Sequence, residues 1–313
     1  MKIRLGYVAL PKTINITSSH TITYTNYEKI KNKEEKLNEI ITKNLNNLEQ
    51  ILIYNIRNNI HFYRMSSNIF PLATHPNIKY NPIKIYKTKL EEIGQIIKKN
   101  NLRIDIHLDQ FCVLNSLNEK VVQSTINIIK FYKNMLKAMK IKTYMILHVG
   151  SNALGKEKSK ERFIKNFNKL DKETKKMIIL ENDDKIFNIK DVLEICKKLN
   201  IKMVLDYHHY ICNNESEKLE DYIEEIFKTW EKETPKIHIS SKKNKKEFRT
   251  HNDYINIEDF NKLIKQVKKL DKDFDIMIEA KEKDNALFKL VRELKYLNYN
   301  FIDETTLIID KQK

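Results

Sequence analysis

Met177-Ile178-Ile179-Leu180-Glu181 is a short apolar run that ends in a carboxylate, and the same pattern returns at Lys202-Met203-Val204-Leu205-Asp206. Apolar runs of this length are typical of buried β-strands. The segment between them, residues 190–199, has the periodicity of an amphipathic helix. These residues therefore predict a strand, a helix and a second strand, which is the unit of parallel sheets.

The same alternation continues along the chain in both directions. It predicts eight strands, at residues 3–10, 61–65, 102–107, 143–148, 177–181, 202–206, 236–240 and 275–279. Eight strand–helix units in a chain of this length predict an α/β fold, a single TIM (β/α)8 barrel. A doubly wound sheet would need a glycine-rich phosphate turn after an early strand, and the sequence has none. We expect one domain over residues 1–313, with a short tail after about residue 297.

Composition limits the classes of protein that fit. The chain has 313 residues, 41% of them hydrophobic, which is enough for a core and excludes wholesale disorder. No apolar run approaches the ~18 residues of a membrane span, and the N-terminus lacks a signal-peptide pattern. We therefore expect a cytoplasmic protein without membrane contact. Cys112, Cys196 and Cys212 match no zinc or redox spacing and are expected to be buried thiols.

The formal charge of +16 has two explanations. A basic protein attracts polyanions such as nucleic acid. Abundant Lys, Asn and Ile beside four glycines and five prolines would equally follow from an AT-rich genome. Charge alone therefore leaves a nucleic-acid partner open.

The active site of a barrel lies at the C-terminal ends of its strands, where the loops converge. A single histidine at a strand end is more often structural. Histidines or carboxylates at many strand ends are less plausible as a chance occurrence. His75 follows the second predicted strand. Eight further imidazoles and carboxylates stand at or near the later strand ends: His107, His148, Glu181, Asp206, His209, His238, His251 and Glu279.

This mixture of side chains indicates a metal site. Imidazole together with carboxylate suits Zn²⁺, Mn²⁺ or Fe²⁺. Eight side chains exceed what one ion can use beside water and substrate. The sequence therefore predicts a multinuclear site, with ions roughly 3.5–4 Å apart that could clamp a phosphodiester. Lys236 precedes His238 by two positions and should also point inward, where a bare cation must be paired or modified.

Other residues near the predicted mouth could contact DNA. Lys242 and Lys243 begin a basic loop that could contact phosphates, although a solvated lysine-rich loop fits equally well. Gln110 and Phe111 could stack against or displace a base, although a packed aromatic is the usual case in such a loop. Tyr7 ends the first strand and is expected to line the same pocket.

Several short stretches carry recognisable motifs. They are Arg4-Leu5-Gly6-Tyr7-Val8, Tyr63-Arg64-Met65-Ser66-Ser67, Pro71-Leu72-Ala73-Thr74-His75-Pro76, Leu180-Glu181-Asn182-Asp183-Asp184-Lys185, Asp206-Tyr207-His208-His209, Lys236-Ile237-His238-Ile239-Ser240-Ser241, His251-Asn252-Asp253-Tyr254 and Met277-Ile278-Glu279-Ala280-Lys281. In these stretches, in order from residue 3 to about residue 297, the chain resembles the UV damage endonucleases. The resemblance implies a TIM barrel similar to endonuclease IV. It also implies nicking of double-stranded DNA immediately 5′ of cyclobutane pyrimidine dimers and 6-4 photoproducts, leaving 3′-hydroxyl and 5′-phosphate ends.

The resemblance implies roles for individual residues. The family's metal ligands fall on the eight residues named above, as a cluster of up to three divalent ions, with Mn²⁺ favoured over Zn²⁺, Co²⁺ or Mg²⁺. Catalytic roles fall on Glu181, Lys236, His75 and Glu279. Lys236 matches a lysine that is carboxylated in the family, and His75 matches a histidine near the scissile phosphate.

The loop after the third strand carries the remaining implied role. Gln110 and Phe111 match the pair with which the family probes a lesion from inside the duplex. The family's His-Pro-x-Gln is here His107-Leu108-Asp109-Gln110, so an acid stands near the DNA and a rigid proline is lost.

Three other functions stay open. They are an apurinic-site endonuclease of endonuclease IV type, a metal-dependent sugar isomerase with a related barrel, and a DNA-binding protein with structural metals. The basic loop and the Gln110-Phe111 pair favour DNA over sugar, and the excess of ligands disfavours a structural role. We expect no obligate protein partner.

Overall fold

Eight parallel strands form a closed barrel in the computed structural model, which describes residues 1–310. Each strand pairs with the next along the chain, β8 pairs with β1, and a β1–β2 pairing completes the ring. The predicted TIM barrel is therefore confirmed. The barrel strands are β1 (Lys2–Val8), β2 (Phe62–Met65), β3 (Arg103–His107), β4 (Met145–Leu147), β5 (Ile178–Glu181), β6 (Met203–Asp206), β7 (Lys236–Ile239) and β8 (Phe274–Ile278).

Helices connect the strands and cover the outside of the barrel. Within residues 1–310 the α-helices are α1 (Tyr24–Glu28), α2 (Lys33–Arg57), α3 (Pro82–Ile85), α4 (Lys87–Lys99), α5 (Glu119–Ala138), α6 (Lys156–Phe167), α7 (Lys172–Lys176), α8 (Ile189–Leu199), α9 (Tyr207–Cys212), α10 (Ile223–Lys228), α11 (Ile257–Val267) and α12 (Lys283–Tyr296). A 3-10 turn, Leu219–Asp221, precedes the short helix α10. In this part of the chain, no helix is both long enough and apolar enough to cross a bilayer.

The core has an outer and an inner layer, because successive strand residues point to opposite faces. On β5, the side chains of Ile178 and Leu180 belong to the large core between strands and helices. The side chain of Ile179 points inward instead. It joins a separate apolar cluster inside the barrel, composed of Tyr144, Ile146, Ile179, Val204 and Trp230.

Gly6 allows the barrel to close at the seam between β1 and β2. A Cβ atom at this position would lie 2.1 Å from the carbonyl oxygen of Phe62, which is far inside van der Waals contact. Gly6 pairs with Phe62 in the β1–β2 ladder. The missing side chain therefore lets the two strands approach to hydrogen-bonding distance.

The segment after residue 297, predicted as a tail, forms a hairpin instead. Its strands, β9 (Asn300–Phe301) and β10 (Thr306–Ile308), pair antiparallel, and β10 pairs antiparallel with residues 2–4 of β1. The carboxylate of Asp303 lies 2.9 Å from Nε2 of His61. The hairpin thus extends the sheet at the N-terminal end of the barrel. Residues 311–313 of the predicted tail lie outside the described residues.

Candidate metal centre

The predicted ligands lie together at the C-terminal mouth of the barrel. They are His107 at the end of β3, His148 directly after β4, Glu181 at the end of β5, Asp206 at the end of β6, His209 in α9, His238 in β7, His251 in the loop after β7 and Glu279 directly after β8. Helix α9 begins directly after β6. Asp206 caps it, because Oδ1 accepts a hydrogen bond at 2.7 Å from the backbone N–H of His209. The cap turns the chain so that His209 stays beside its own strand end.

Six of the eight residues form two groups that share Glu181. Within each group, one potential ligand atom per residue lies within 4.8 Å of the others. The groups are His107, His148 and Glu181, and Glu181, Asp206, His238 and Glu279. A carboxylate common to two groups can bridge two neighbouring ions.

His209 and His251 lie beside these groups. Nδ1 of His209 is 3.5 Å from Oε1 of Glu181 and 3.7 Å from Oδ2 of Asp206. The ring centroid of His251 is 6.3 Å from that of His209. All eight predicted ligands therefore reach one rim, but these two stand outside the compact groups.

Several ligand atoms are buried without a hydrogen-bond partner. Within residues 1–310, Nδ1 of His148 and Oδ2 of Asp206 make no hydrogen bond, and Oε2 of Glu181 faces only the imidazole nitrogens of His238 at 3.0 Å and His107 at 3.3 Å. A buried polar atom left in this way costs about 1–3 kcal/mol. Metal coordination would satisfy all three atoms, and imidazole with carboxylate is a donor set that divalent transition ions bind. The residues therefore fit a divalent metal cluster.

Burial and mutual contacts determine the protonation of these groups. Burial lowers the pKa of His148 to about 4, so its imidazole is neutral near pH 7, as a metal ligand must be. Burial alone would raise the pKa of Glu181, but its electrostatic and hydrogen-bonding contacts with His238 and His107 hold it well below its usual range. Burial raises the pKa of Asp206 well above its usual range against the opposing charge of His209, and the charge of Glu181 adds to the rise. The rim thus concentrates groups whose charges are set by burial and by one another.

Asn182 and Asp183 support this rim. The side-chain amide of Asn182 donates to the carbonyl oxygen of Asp206 and accepts from its backbone N–H, each at 2.9 Å. The carboxylate of Asp183 accepts hydrogen bonds from the backbone N–H groups of residues 185–187. These residues fix the ends of β5 and β6 without belonging to either ligand group.

Arg64 is a residue of this site that sequence reasoning missed. It lies on β2, and its buried guanidinium donates from Nη1 to Oε1 of Glu279 at 2.5 Å and from Nη2 to Nε2 of His238 at 2.6 Å. Its Nε lies 3.4 Å from Oδ1 of Asp105, a second residue that was missed. Asp105 precedes His107 by two positions, so alternation along β3 could have placed it inside the barrel.

Lys236 is paired, as an inward lysine must be. Its side chain is buried, and Nζ donates to the carboxylate of Asp105. Burial lowers the pKa of Lys236 to about 8, with Asp105 opposing that shift. The ion pair satisfies the buried cation without a covalent modification.

His75 lies in the loop after β2, outside both ligand groups. Its ring stacks on the ring of Tyr24, with centroids 4.0 Å apart and planes inclined by 16°. The backbone N–H of Asn77 donates to its Nδ1 at 3.3 Å. The half-buried imidazole is therefore held in one orientation.

The predicted DNA-contacting side chains lie exposed in two loops. Gln110 is exposed, and Phe111 is 75% exposed and has no packing role. Lys242 and Lys243 are exposed in the loop after β7, and a β-bridge pairs Lys242 with the rim residue His251. Both loops therefore start from strands that carry predicted ligands.

Tyr7 does not line the mouth, which corrects the prediction. Its side chain is fully buried, its hydroxyl donates to Oδ1 of Asn55 at 2.8 Å, and its ring contacts that of Tyr63. Alternation along β1 turns Tyr7 outward under α2, because Gly6 takes the inward position. Tyr7 therefore packs between sheet and helix.

The fold and the rim define a TIM-barrel protein with a candidate metal centre at its mouth. The pattern of the family described as UV-endonuclease UvdE matches residues 3–307. The chain belongs to this family, which confirms the resemblance seen in the sequence and supports a DNA-cleaving enzyme.

Individual relatives agree with this assignment. A UV DNA damage endonuclease of Bacillus mycoides (strain KBAB4) is 40% identical over 301 residues, covering 94% of this chain and 95% of the relative. The crystal structure of SacUVDE is 36% identical with a TM-score of 0.86, covering 95% of this chain and 99% of that chain. An AP endonuclease, family 2, from Brucella melitensis has a TM-score of 0.51 at 11% identity, covering 89% of this chain and 93% of that chain, and is similar in fold alone.

Proposed function

We propose that this protein is a UV damage endonuclease that cuts DNA immediately 5′ of cyclobutane pyrimidine dimers and 6-4 photoproducts, leaving 3′-hydroxyl and 5′-phosphate ends. Membership in the UV-endonuclease family supports the substrate. The observation that carries the chemistry is the pair of ligand groups sharing Glu181 at the barrel mouth. We further propose that residues 1–313 form one endonuclease domain and that the protein works in the cytoplasm, where DNA is its partner.

The eight rim residues would hold up to three divalent ions, with Mn²⁺ as the first candidate and Zn²⁺, Co²⁺ and Mg²⁺ as alternatives. Such ions, when bound, supply an activated water and charge stabilisation for phosphodiester hydrolysis. Glu181 would contribute to the binding of two ions because it belongs to both groups. Glu279 would help to hold an ion together with Glu181, Asp206 and His238, the other members of its group. The neutral imidazole of His148 is ready to bind without first losing a proton.

Other residues would act on the DNA or on the rim. His75, oriented by Tyr24, would contact the scissile phosphate. Lys236 would act through Asp105 as a positioning residue, since its buried ammonium cannot reach the substrate. Carboxylation of Lys236 stays a prediction that intact-mass measurement can check. It would set two anions side by side at Asp105, so the observed ion pair favours the ammonium form.

Lesion recognition would come from the exposed loops. The proposed role of Gln110 and Phe111 is to fill the space left when the lesion nucleotides leave the stack, a step that costs less where stacking is already broken. Lys242 and Lys243 would bind backbone phosphates without reading sequence. The exposure of all four side chains supports this division of labour.

A gel assay tests the proposed function. UV-irradiated, abasic and intact duplexes are incubated with the protein and Mn²⁺, or with a chelator. We expect nicks on the 5′ side of photoproducts, extension of those ends by a polymerase that requires a 3′-hydroxyl, and no cutting with chelator. Cutting confined to abasic sites would instead favour the endonuclease IV type, and tight binding without any cutting would favour structural metals. Sugar isomerisation without DNA cleavage would favour the isomerase.

A further inference from the structure

Arg64 contacts two of the four members of the second ligand group. Its guanidinium donates to Oε1 of Glu279 at 2.5 Å and to Nε2 of His238 at 2.6 Å. Both partners are predicted metal ligands, and both offer one of the ligand atoms that gather around Glu181. The positive charge of Arg64 therefore lies where positive charge is needed when no ion is bound.

The contacts of His238 leave it no free lone pair for an ion. Nη2 of Arg64 lies 2.6 Å from Nε2 of His238 and 3.2 Å from Nδ1. A guanidinium can only donate, and Nδ1 also faces two carboxylates that can only accept, so Nε2 is the accepting nitrogen. In a neutral imidazole the other nitrogen then carries the proton. That nitrogen, Nδ1, faces Oε2 of Glu181 at 3.0 Å and Oε1 of Glu279 at 3.3 Å. Binding of an ion by His238 therefore requires that Arg64 release it or that its proton move.

An ion pair with Asp105 also holds the guanidinium of Arg64 in place. Its Nε lies 3.4 Å from Asp105, and Asp105 pairs through its other oxygen with Lys236. All three side chains are buried. The row from Lys236 through Asp105 to Arg64 and Glu279 alternates in charge and ends at the rim. A guanidinium fixed in this way stays in contact with Glu279 and His238 when no metal is bound.

We propose that Arg64 is the internal counter-ion of the metal-free centre: it stabilises Glu279 and His238 when no ion is bound, and it competes with the ion for them. This inference rests on the proposed metal centre. Arg64 is a positioning residue in this scheme, since it acts through two ligands. Its role is to let the barrel fold before metal is loaded and to weaken metal binding in return.

The test compares metal-free and Mn²⁺-loaded protein. Arg64→Met removes the charge but keeps much of the apolar stem, and Arg64→Lys keeps a charge with a different shape. We expect both variants to lower the Tm of the metal-free protein more than that of the loaded protein. The rise in Tm caused by Mn²⁺ is then larger than in the wild type, and the Kd for Mn²⁺ in calorimetric titration falls by about fivefold or more in Arg64→Met. If Arg64→Met does not fold without metal, Arg64→Lys gives the same comparison.

Arg103→Met is the matched control. Arg103 also points into the barrel, from β3, but it pairs with Asp275 and packs over the rings of Phe62 and Trp230 at the other end of the barrel. We expect its loss to lower the Tm of both states equally and to leave the Kd for Mn²⁺ unchanged. An Mn²⁺-induced rise in Tm that is equal to or smaller than that of the wild type in both Arg64 variants would overturn the counter-ion role. No Mn²⁺ effect on the wild type would refute the metal centre itself.

Discussion

The inside of the barrel has two unlike halves. Along β4, β5 and β6 it is filled by apolar side chains, closed from below by Trp230. Along the remaining strands it contains a set of ion pairs: Arg4 and Arg103 with Asp275, Lys236 and Arg64 with Asp105, and Arg64 with Glu279. Buried ion pairs add little net stability compared with apolar packing. The ionic half is therefore better explained by what it holds in place.

The rim reflects this difference. Above the apolar half, Nδ1 of His148 and Oδ2 of Asp206 are buried without a hydrogen bond within residues 1–310. Above the ionic half, Glu279 and His238 receive the guanidinium of Arg64. If the rim binds metal, an ion would satisfy the first pair of candidate ligands, whereas Arg64 already contacts the second pair. Substitutions in the two halves should therefore affect stability, metal binding and activity differently.

The largest effect is expected at Glu181, which belongs to both ligand groups. Glu181→Gln keeps the size of the side chain but loses the charge that would bridge two ions. We expect nicking of UV-irradiated duplex to fall about 1,000-fold or more, since several kcal/mol of metal-derived stabilisation are lost. We also expect the Mn²⁺-induced rise in Tm to shrink. Rates come from single-turnover gel assays, and nicking at the wild-type rate would remove Glu181 from the centre.

Ile179→Ala disrupts the packing of the apolar half. Ile179 lies on β5, two residues before Glu181 and on the same face of the strand. Ile179 is fully buried among the apolar side chains inside the barrel. We expect the free energy of unfolding to fall by about 2–5 kcal/mol, because a cavity replaces the lost packing. Denaturant melts should give the same loss with and without Mn²⁺, and nicking per folded molecule should stay close to wild type. A loss confined to the loaded protein would mean that the apolar half serves the ions directly.

The sequence predicts the rim better than what lies beneath it. Eight candidate ligands could be placed at one rim because parallel strands of a barrel all end at one mouth, and strand ends are visible as the ends of apolar runs. The partners of Arg64 were not predictable in this way. Whether its guanidinium reaches Glu279, directly after β8, depends on the stagger of the strands around the closed barrel. That stagger cannot be predicted from the local pattern of apolar and polar residues.

Two further differences have similar causes. Tyr7 lies one residue before the end of β1. A position near a strand end does not say which face of the sheet a side chain takes, and a shift of one residue moves a side chain from the barrel interior to the helix layer. The hairpin of β9 and β10 has strands of two and three residues, too short for a periodic signal. Its pairing with β1 is a contact across the length of the chain. Long-range pairing of this kind is set by the assembled barrel.

The smallest effect concerns the exposed loop after β3, which belongs to neither half. Replacing Gln110 and Phe111 together with Ala should leave stability within about 0.5 kcal/mol, since exposed side chains outside the core contribute little. We expect binding to UV-irradiated duplex to weaken by about 1–3 kcal/mol, the range for loss of one base–aromatic contact, and binding to intact duplex to weaken less. Fluorescence anisotropy with both duplexes measures the two affinities.

A second double variant isolates this lesion-specific part. Lys242→Gln with Lys243→Gln removes two exposed cations from the basic loop, and loss of phosphate contacts should weaken binding to both duplexes by a similar factor and lower the salt dependence by about one to two ions. Lys243 already pairs with Glu247 at 2.7 Å, so Lys242 should account for more of the change. Equal losses on damaged and intact duplex in the Gln110 and Phe111 variant as well would mean that this pair binds backbone like the lysines. Recognition of the lesion would then have to come from the rim itself.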